Sequence, residues 1–109
     1  MPFNDRIDAR IQNAVAEWKE VDRKKMFGGI CYLYCGHMFA GVYKDYLILR
    51  LGEKKAKDAL ERPFIRPFDI TGKPMKGWVM LEEQAFLTEN DLKKWVKEAK
   101  TVAAALPPK

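Results

Sequence analysis

Met26-Phe27-Gly28-Gly29-Ile30-Cys31-Tyr32-Leu33-Tyr34-Cys35-Gly36-His37-Met38-Phe39-Ala40-Gly41-Val42-Tyr43-Lys44-Asp45-Tyr46-Leu47-Ile48-Leu49-Arg50-Leu51 is rich in β-branched and aromatic residues and broken at two short points, Gly36-His37 and Lys44-Asp45. That pattern predicts three strands, over 26–35, 38–43 and 46–51. Links this short force an antiparallel meander, because a parallel return needs a crossover of a dozen or more residues. Gly28-Gly29 in the first strand predicts a bulge or a close backbone approach.

Upstream, Ile7, Ile11, Ala14, Val15, Trp18 and Val21 recur at spacings of three and four, the stripe of an amphipathic helix, with Asn4 or Asp5 able to cap it. Downstream, Gly52 closes the meander and residues 53–61 read as a short helix with Ala56, Ala59 and Leu60 on one side, stopped before Pro63. Phe68-Asp69-Ile70 begins a strand, Thr71-Gly72-Lys73-Pro74 turns it, and Trp78-Val79-Met80-Leu81 answers it. Thr88 and Asp91 resemble a capping box for a last helix over about 89–105, whose stripe is Leu92, Trp95, Val96, Ala99, Val102 and Leu106, ended by Pro107-Pro108. The predicted order is helix, three-strand antiparallel meander, helix, two strands, helix: an α+β fold with helices packed on one face of an antiparallel sheet. The 109 residues fit a single domain spanning 1–109, without repeats or linkers.

The composition, 48% hydrophobic and 32% charged, is that of a globular chain and argues against disorder. The net charge of +5 favours anionic partners but lies within the usual solubility range. Cys31 and Cys35, read as four apart on one strand, sit about 13 Å apart, too far for a disulfide. Free thiols, with no apolar leader at the N-terminus, predict a cytoplasmic protein. No apolar run approaches the ~20 residues of a bilayer span, so no membrane partner is expected.

Chemistry-bearing patterns are few. The chain has no serine, which excludes a serine hydrolase, and no phosphate-cradling glycine loop. Cys31, Cys35 and His37 lack the second ligand pair that structural zinc needs, so no metal is expected. Cys35 and His37 read as neighbours on one strand face, but no third residue identifies itself as an orienting group. Asp69, between Phe68 and Ile70, is the one carboxylate in apolar surroundings. Tyr32, Tyr34, Tyr43 and Tyr46, with Lys44 and Arg50, suit base stacking and phosphate contact, the ground for a nucleic-acid reading. The segment from Arg62 to Trp78 is dense in Pro, Gly, Arg and aromatics, a composition suited to contact surfaces.

Several ordered pieces resemble the N-terminal domain of the TfoX/Sxy family of bacterial proteins: Lys25-Met26-Phe27-Gly28-Gly29-Ile30-Cys31, Met38-Phe39-Ala40-Gly41-Val42-Tyr43, Tyr46-Leu47-Ile48-Leu49-Arg50, Arg66-Pro67-Phe68-Asp69, Pro74-Met75-Lys76-Gly77-Trp78-Val79 and Leu106-Pro107-Pro108-Lys109. The resemblance implies a secretion-chaperone-like α+β fold. It also implies a link to transcriptional regulation of natural competence, where full-length members act as co-activators and carry a C-terminal helical domain beyond the region matched here. It supplies no catalytic residues. The expectation is a small cytoplasmic regulatory, protein-interaction module, not an enzyme and without cofactors. Arg62, Arg66, Asp69, Lys76 and Trp78 are its partner-binding surface, the partner a protein of the transcription machinery. Direct nucleic-acid binding is the alternative, and exposed apolar residues on the sheet would also suit a homodimer.

Overall fold

The computed structural model describes residues 4–26, 28–69 and 76–106. Helix α1 (Asp5–Val15) is followed by strands β1 (Val21–Met26), β2 (Gly29–Tyr34), β3 (His37–Tyr43) and β4 (Tyr46–Arg50), then α2 (Glu53–Ala59), β5 (Ile65–Pro67), β6 (Trp78–Leu81), a 3-10 turn (Glu83–Phe86) and α3 (Glu89–Ala104). The strands form one antiparallel sheet in the order β1-β2-β3-β4-β6-β5. The α+β reading holds, with corrections to its order.

The meander has four strands where three were expected. α1 ends at Val15, so Trp18 and Val21 leave the helix, and Val21 opens the extra strand. Its sequence, Val-Asp-Arg-Lys-Lys-Met, hides it: edge strands carry charge that discourages pairing with other chains, and charge obscures the apolar alternation. Asn4 caps α1, its side chain accepting from the Arg6 and Ile7 amides at 2.9 and 3.2 Å. Thr88 caps α3 by accepting from the Asp91 amide at 3.0 Å, as its spacing predicted.

The turn between β2 and β3 is Cys35-Gly36, one residue earlier than expected, so Cys35 lies off the strand. Both residues have positive φ, 51° and 86°, the pairing a two-residue hairpin loop needs to follow the strands' twist. The expected strand at Phe68-Asp69-Ile70 is displaced to Ile65–Pro67; Phe68 and Asp69 have no regular structure. As an edge strand, β5 tolerates a proline, which has no N–H to donate. Ile70, the turn at 71–74 and the Pro107-Pro108 stop lie outside the described residues.

The close approach foreseen at Gly28-Gly29 is real at Gly29, where a Cβ would sit 2.3 Å from the Val42 carbonyl oxygen. The bulge lies elsewhere. Tyr32 pairs with Ala40 and Leu33 with Met38, leaving Phe39 as an extra residue on β3. An unbroken strand would send Phe39 to the face opposite Ala40; the bulge turns it inward. There it is fully buried, 6.1 Å from the Trp18 ring.

One face of the sheet carries the main core. Ile30, Tyr32, Ala40, Val42, Leu47, Leu49, Val79 and Leu81 meet Ile7 and Ile11 of α1 and Leu92, Val96, Ala99 and Ala103 of α3. At the α1 side this core encloses one carboxylate, Asp8, 4% exposed. It accepts from the Tyr32 hydroxyl at 2.5 Å, from Gln12 at 3.0 Å and from Nε and Nη2 along one edge of the Arg23 guanidinium. Burial pushes the Asp8 carboxyl up, but the bonds from Arg23 and Tyr32, the Arg23 charge and Gln12 together hold it below the usual carboxylate range. The cluster ties α1 to β1 and β2 at once.

Two predictions follow from this packing. Gly29→Ala forces a methyl against a backbone oxygen that cannot swing away, and is expected to cost about 1–3 kcal/mol by thermal unfolding. Asp8→Asn is expected to cost about 2 kcal/mol, less than a fully buried pair because Arg23 keeps 40% of its side chain exposed. The depressed Asp8 pKa contributes stability at neutral pH and loses it as pH falls through the carboxylate range. The melting temperatures of wild type and Asp8→Asn should therefore converge below about pH 4.

Candidate functional site

The open face of the sheet presents the residues that alternate away from the main core: Gly41 and Tyr43 on β3; Tyr46, Ile48 and Arg50 on β4; Trp78 and Met80 on β6; Arg66 on β5. Ile48, Met80 and Phe68 make a second, smaller cluster here, flanked by Met38, Tyr43, Tyr46 and Trp78. Phe68 meets the Trp78 ring edge-on at 5.7 Å. Phe68 is buried, whereas the Tyr43, Tyr46 and Trp78 rings are half-buried in the sheet and keep part of their surface in solvent.

Each of three cations lies over one of these rings. Lys44 is 5.5 Å from the Tyr43 centroid, Arg50 is 5.7 Å from Trp78, and Arg66 is 5.7 Å from Tyr46. Arg66 also donates to the Tyr46 hydroxyl at 2.9 Å. Among the described residues none of the three has a carboxylate within ion-pair distance. Such contacts are worth about 0.5–1 kcal/mol at exposed sites. They orient the cations without neutralising them.

The five residues expected to bind a partner do not form one patch. Arg66 and Trp78 share the open face. Lys76 lies beside Trp78, where both line a hollow against α2. Asp69 is exposed, following Phe68. Arg62 lies apart on the helix side, stacked 5.4 Å over Trp95 in a groove between α2 and α3 with Lys55, Asp58 and Glu98. The four tyrosines divide by alternation. Tyr43 and Tyr46 face outward, Tyr32 is buried on Asp8, and Tyr34 turns to the helix side, where Lys100 of α3 lies 5.2 Å over it.

Cys31 and Cys35 are both free. Burial pushes the Cys31 thiol up. Cys35 donates from Sγ to a Glu20 carboxylate oxygen at 3.0 Å, and this bond, with burial and the Glu20 charge, raises its pKa. A thiolate is what nucleophilic chemistry needs, and Glu20 opposes it. Among the described residues no group of three or more His, Cys, Asp or Glu side chains could hold a metal ion, and no helix is long and apolar enough to cross a membrane. Iodoacetamide is expected to alkylate Cys35 faster in Glu20→Gln than in wild type at pH 8; equal rates would show that the carboxylate does not hold the thiol protonated.

A comparison with known proteins bears on this arrangement. The family model described as the TfoX N-terminal domain matches residues 13–103, from the end of α1 through most of α3. No curated protein and no solved structure matches the chain significantly. The match takes in the whole sheet and covers most of the sequence, so the chain belongs to the TfoX N-terminal domain family.

Proposed function

We propose that the chain is a small cytoplasmic regulatory module, without catalytic activity of its own, that binds an acidic protein surface through the open face of its sheet. The partner belongs to the transcription machinery, in keeping with the competence regulation that the family resemblance implies. The observation that carries this reading is the set Lys44, Arg50 and Arg66, each laid over a ring and none paired with a carboxylate among the described residues. Free arginines beside rigid aromatics combine directional charge with contact area that costs little entropy to order.

Nucleic acid is the second reading, favoured by the same alternation of rings and cations, which suits stacked bases and phosphates. The two separate by salt and nuclease. Tagged protein is used to capture partners from bacterial lysate, with and without nuclease, beside an Arg50→Glu/Arg66→Glu variant. Protein partners that survive nuclease and are lost in the variant are expected. Partners retained by the variant would overturn the assignment of this face. Partners lost with nuclease, together with single-strand binding that falls steeply with salt, would establish the second reading instead.

A further inference from the structure

At one corner of the open face, Ala56, Leu60, Pro67 and Trp78 line a mostly apolar slot of about 300 Å³, with Lys57 and Lys76 on its rim. Its size is at the small end of ligand pockets, room for one side chain rather than a cofactor. Leu60 is one of the few large hydrophobic residues left exposed, at 38%.

The slot is built rather than incidental. The Gly77 carbonyl accepts from the Leu51 amide at 2.7 Å and the Gly52 amide at 3.1 Å, which fixes the turn before β6 against the start of α2. Both glycines have positive φ, 87° and 83°, and a Cβ on Gly77 would come 3.3 Å from the Gly52 carbonyl carbon. The approach therefore needs glycine at Gly77. One wall, Trp78, is also the ring under Arg50, so the slot is continuous with the cation–aromatic face. On the rim, among the described residues, Lys57 and Lys76 have no carboxylate within ion-pair distance, and Glu53 is the single acid.

We propose that this slot receives an apolar anchor side chain from an acidic segment of a protein partner, with Lys57 and Lys76 engaging the carboxylates beside the anchor. The proposal rests on the acidic-partner reading and names the feature that gives it selectivity. Charge draws the segment to the face, and the anchor distinguishes it from other acidic chains, because only a buried side chain gains the transfer energy of leaving water. The preformed walls leave little ordering cost on the receiving side.

The test titrates two blocked pentapeptides into the full ¹⁵N-labelled chain and follows its amide and indole resonances. One peptide has phenylalanine between two pairs of glutamates; the other has glycine in its place. The phenylalanine peptide is expected to bind about tenfold tighter or more, shifting Leu60, Gly77 and the Trp78 indole. Leu60→Glu should remove that advantage and Lys76→Glu should weaken binding of both peptides, while the remaining spectrum of each variant stays folded. Equal binding of the two peptides, with shifts confined to Tyr46, Arg50 and Arg66, would overturn the slot and leave the face reading standing. Shifts at the slot alone would support the slot and remove the face reading. No shift with either peptide would overturn both.

Discussion

The candidate surface of this molecule follows from the alternation along β4. In Tyr46-Leu47-Ile48-Leu49-Arg50, the two leucines turn one way and are fully buried under the helices. The other three turn the opposite way by necessity, since successive side chains leave a strand on opposite faces. A one-residue slip would exchange the two sets, placing a tyrosine and an arginine in the core. Burial of the leucines therefore fixes the position of Tyr46 and Arg50, and the same pairing fixes Trp78 and Arg66 across β6 and β5. The candidate surface is a consequence of how the core is made.

Two devices adapt that simple rule. The bulge at Phe39 gives the helix side an extra aromatic that strict alternation would deny it, and the ring fills the space beside Trp18. Asp8 then solves a problem that the core creates. Tyr32 is long enough to reach α1, and its buried hydroxyl needs an acceptor there; the Asp8 carbonyl lies at 3.3 Å and the Asp8 carboxylate, at 2.5 Å, is the closer one. Supplying a carboxylate satisfies it, and Arg23 from the edge strand balances the charge. A charged residue that looks like solvent exposure in the sequence thus closes an internal network.

Much of this was legible in the sequence. Apolar runs punctuated by tight turns identified β3, β4 and β6 to within a residue and β2 with its start three residues early, in β1, and helix periodicity with capping residues placed α3. Other features were hidden for physical reasons. The charges of β1 mask its strand character, and Trp18 and Val21 fall in phase with the helix stripe by coincidence while serving the core from outside the helix. At the surface, Arg66, Lys76 and Trp78 stood out because the segment's composition is unusual. The isolation of Arg62 did not, since only tertiary packing sets it on Trp95. Lys57 read as an ordinary surface residue and Leu60 as part of the apolar side of a short helix; Leu60 is instead left 38% exposed, and the slot it lines exists only once Gly77 is held against Gly52.

The central claim is that the sheet's open face holds cations that no carboxylate pairs among the described residues, whereas α1 pairs its arginines with Glu83 and Glu89. The most direct measurement compares paramagnetic relaxation of the free protein's resonances by an anionic soluble chelate and by a neutral one of the same size. The account predicts that the anionic probe selectively broadens Tyr46, Arg50, Arg66 and Trp78 relative to the exposed Arg6 on α1, whose guanidinium pairs with Glu83. Equal broadening of the two groups by both probes would contradict it.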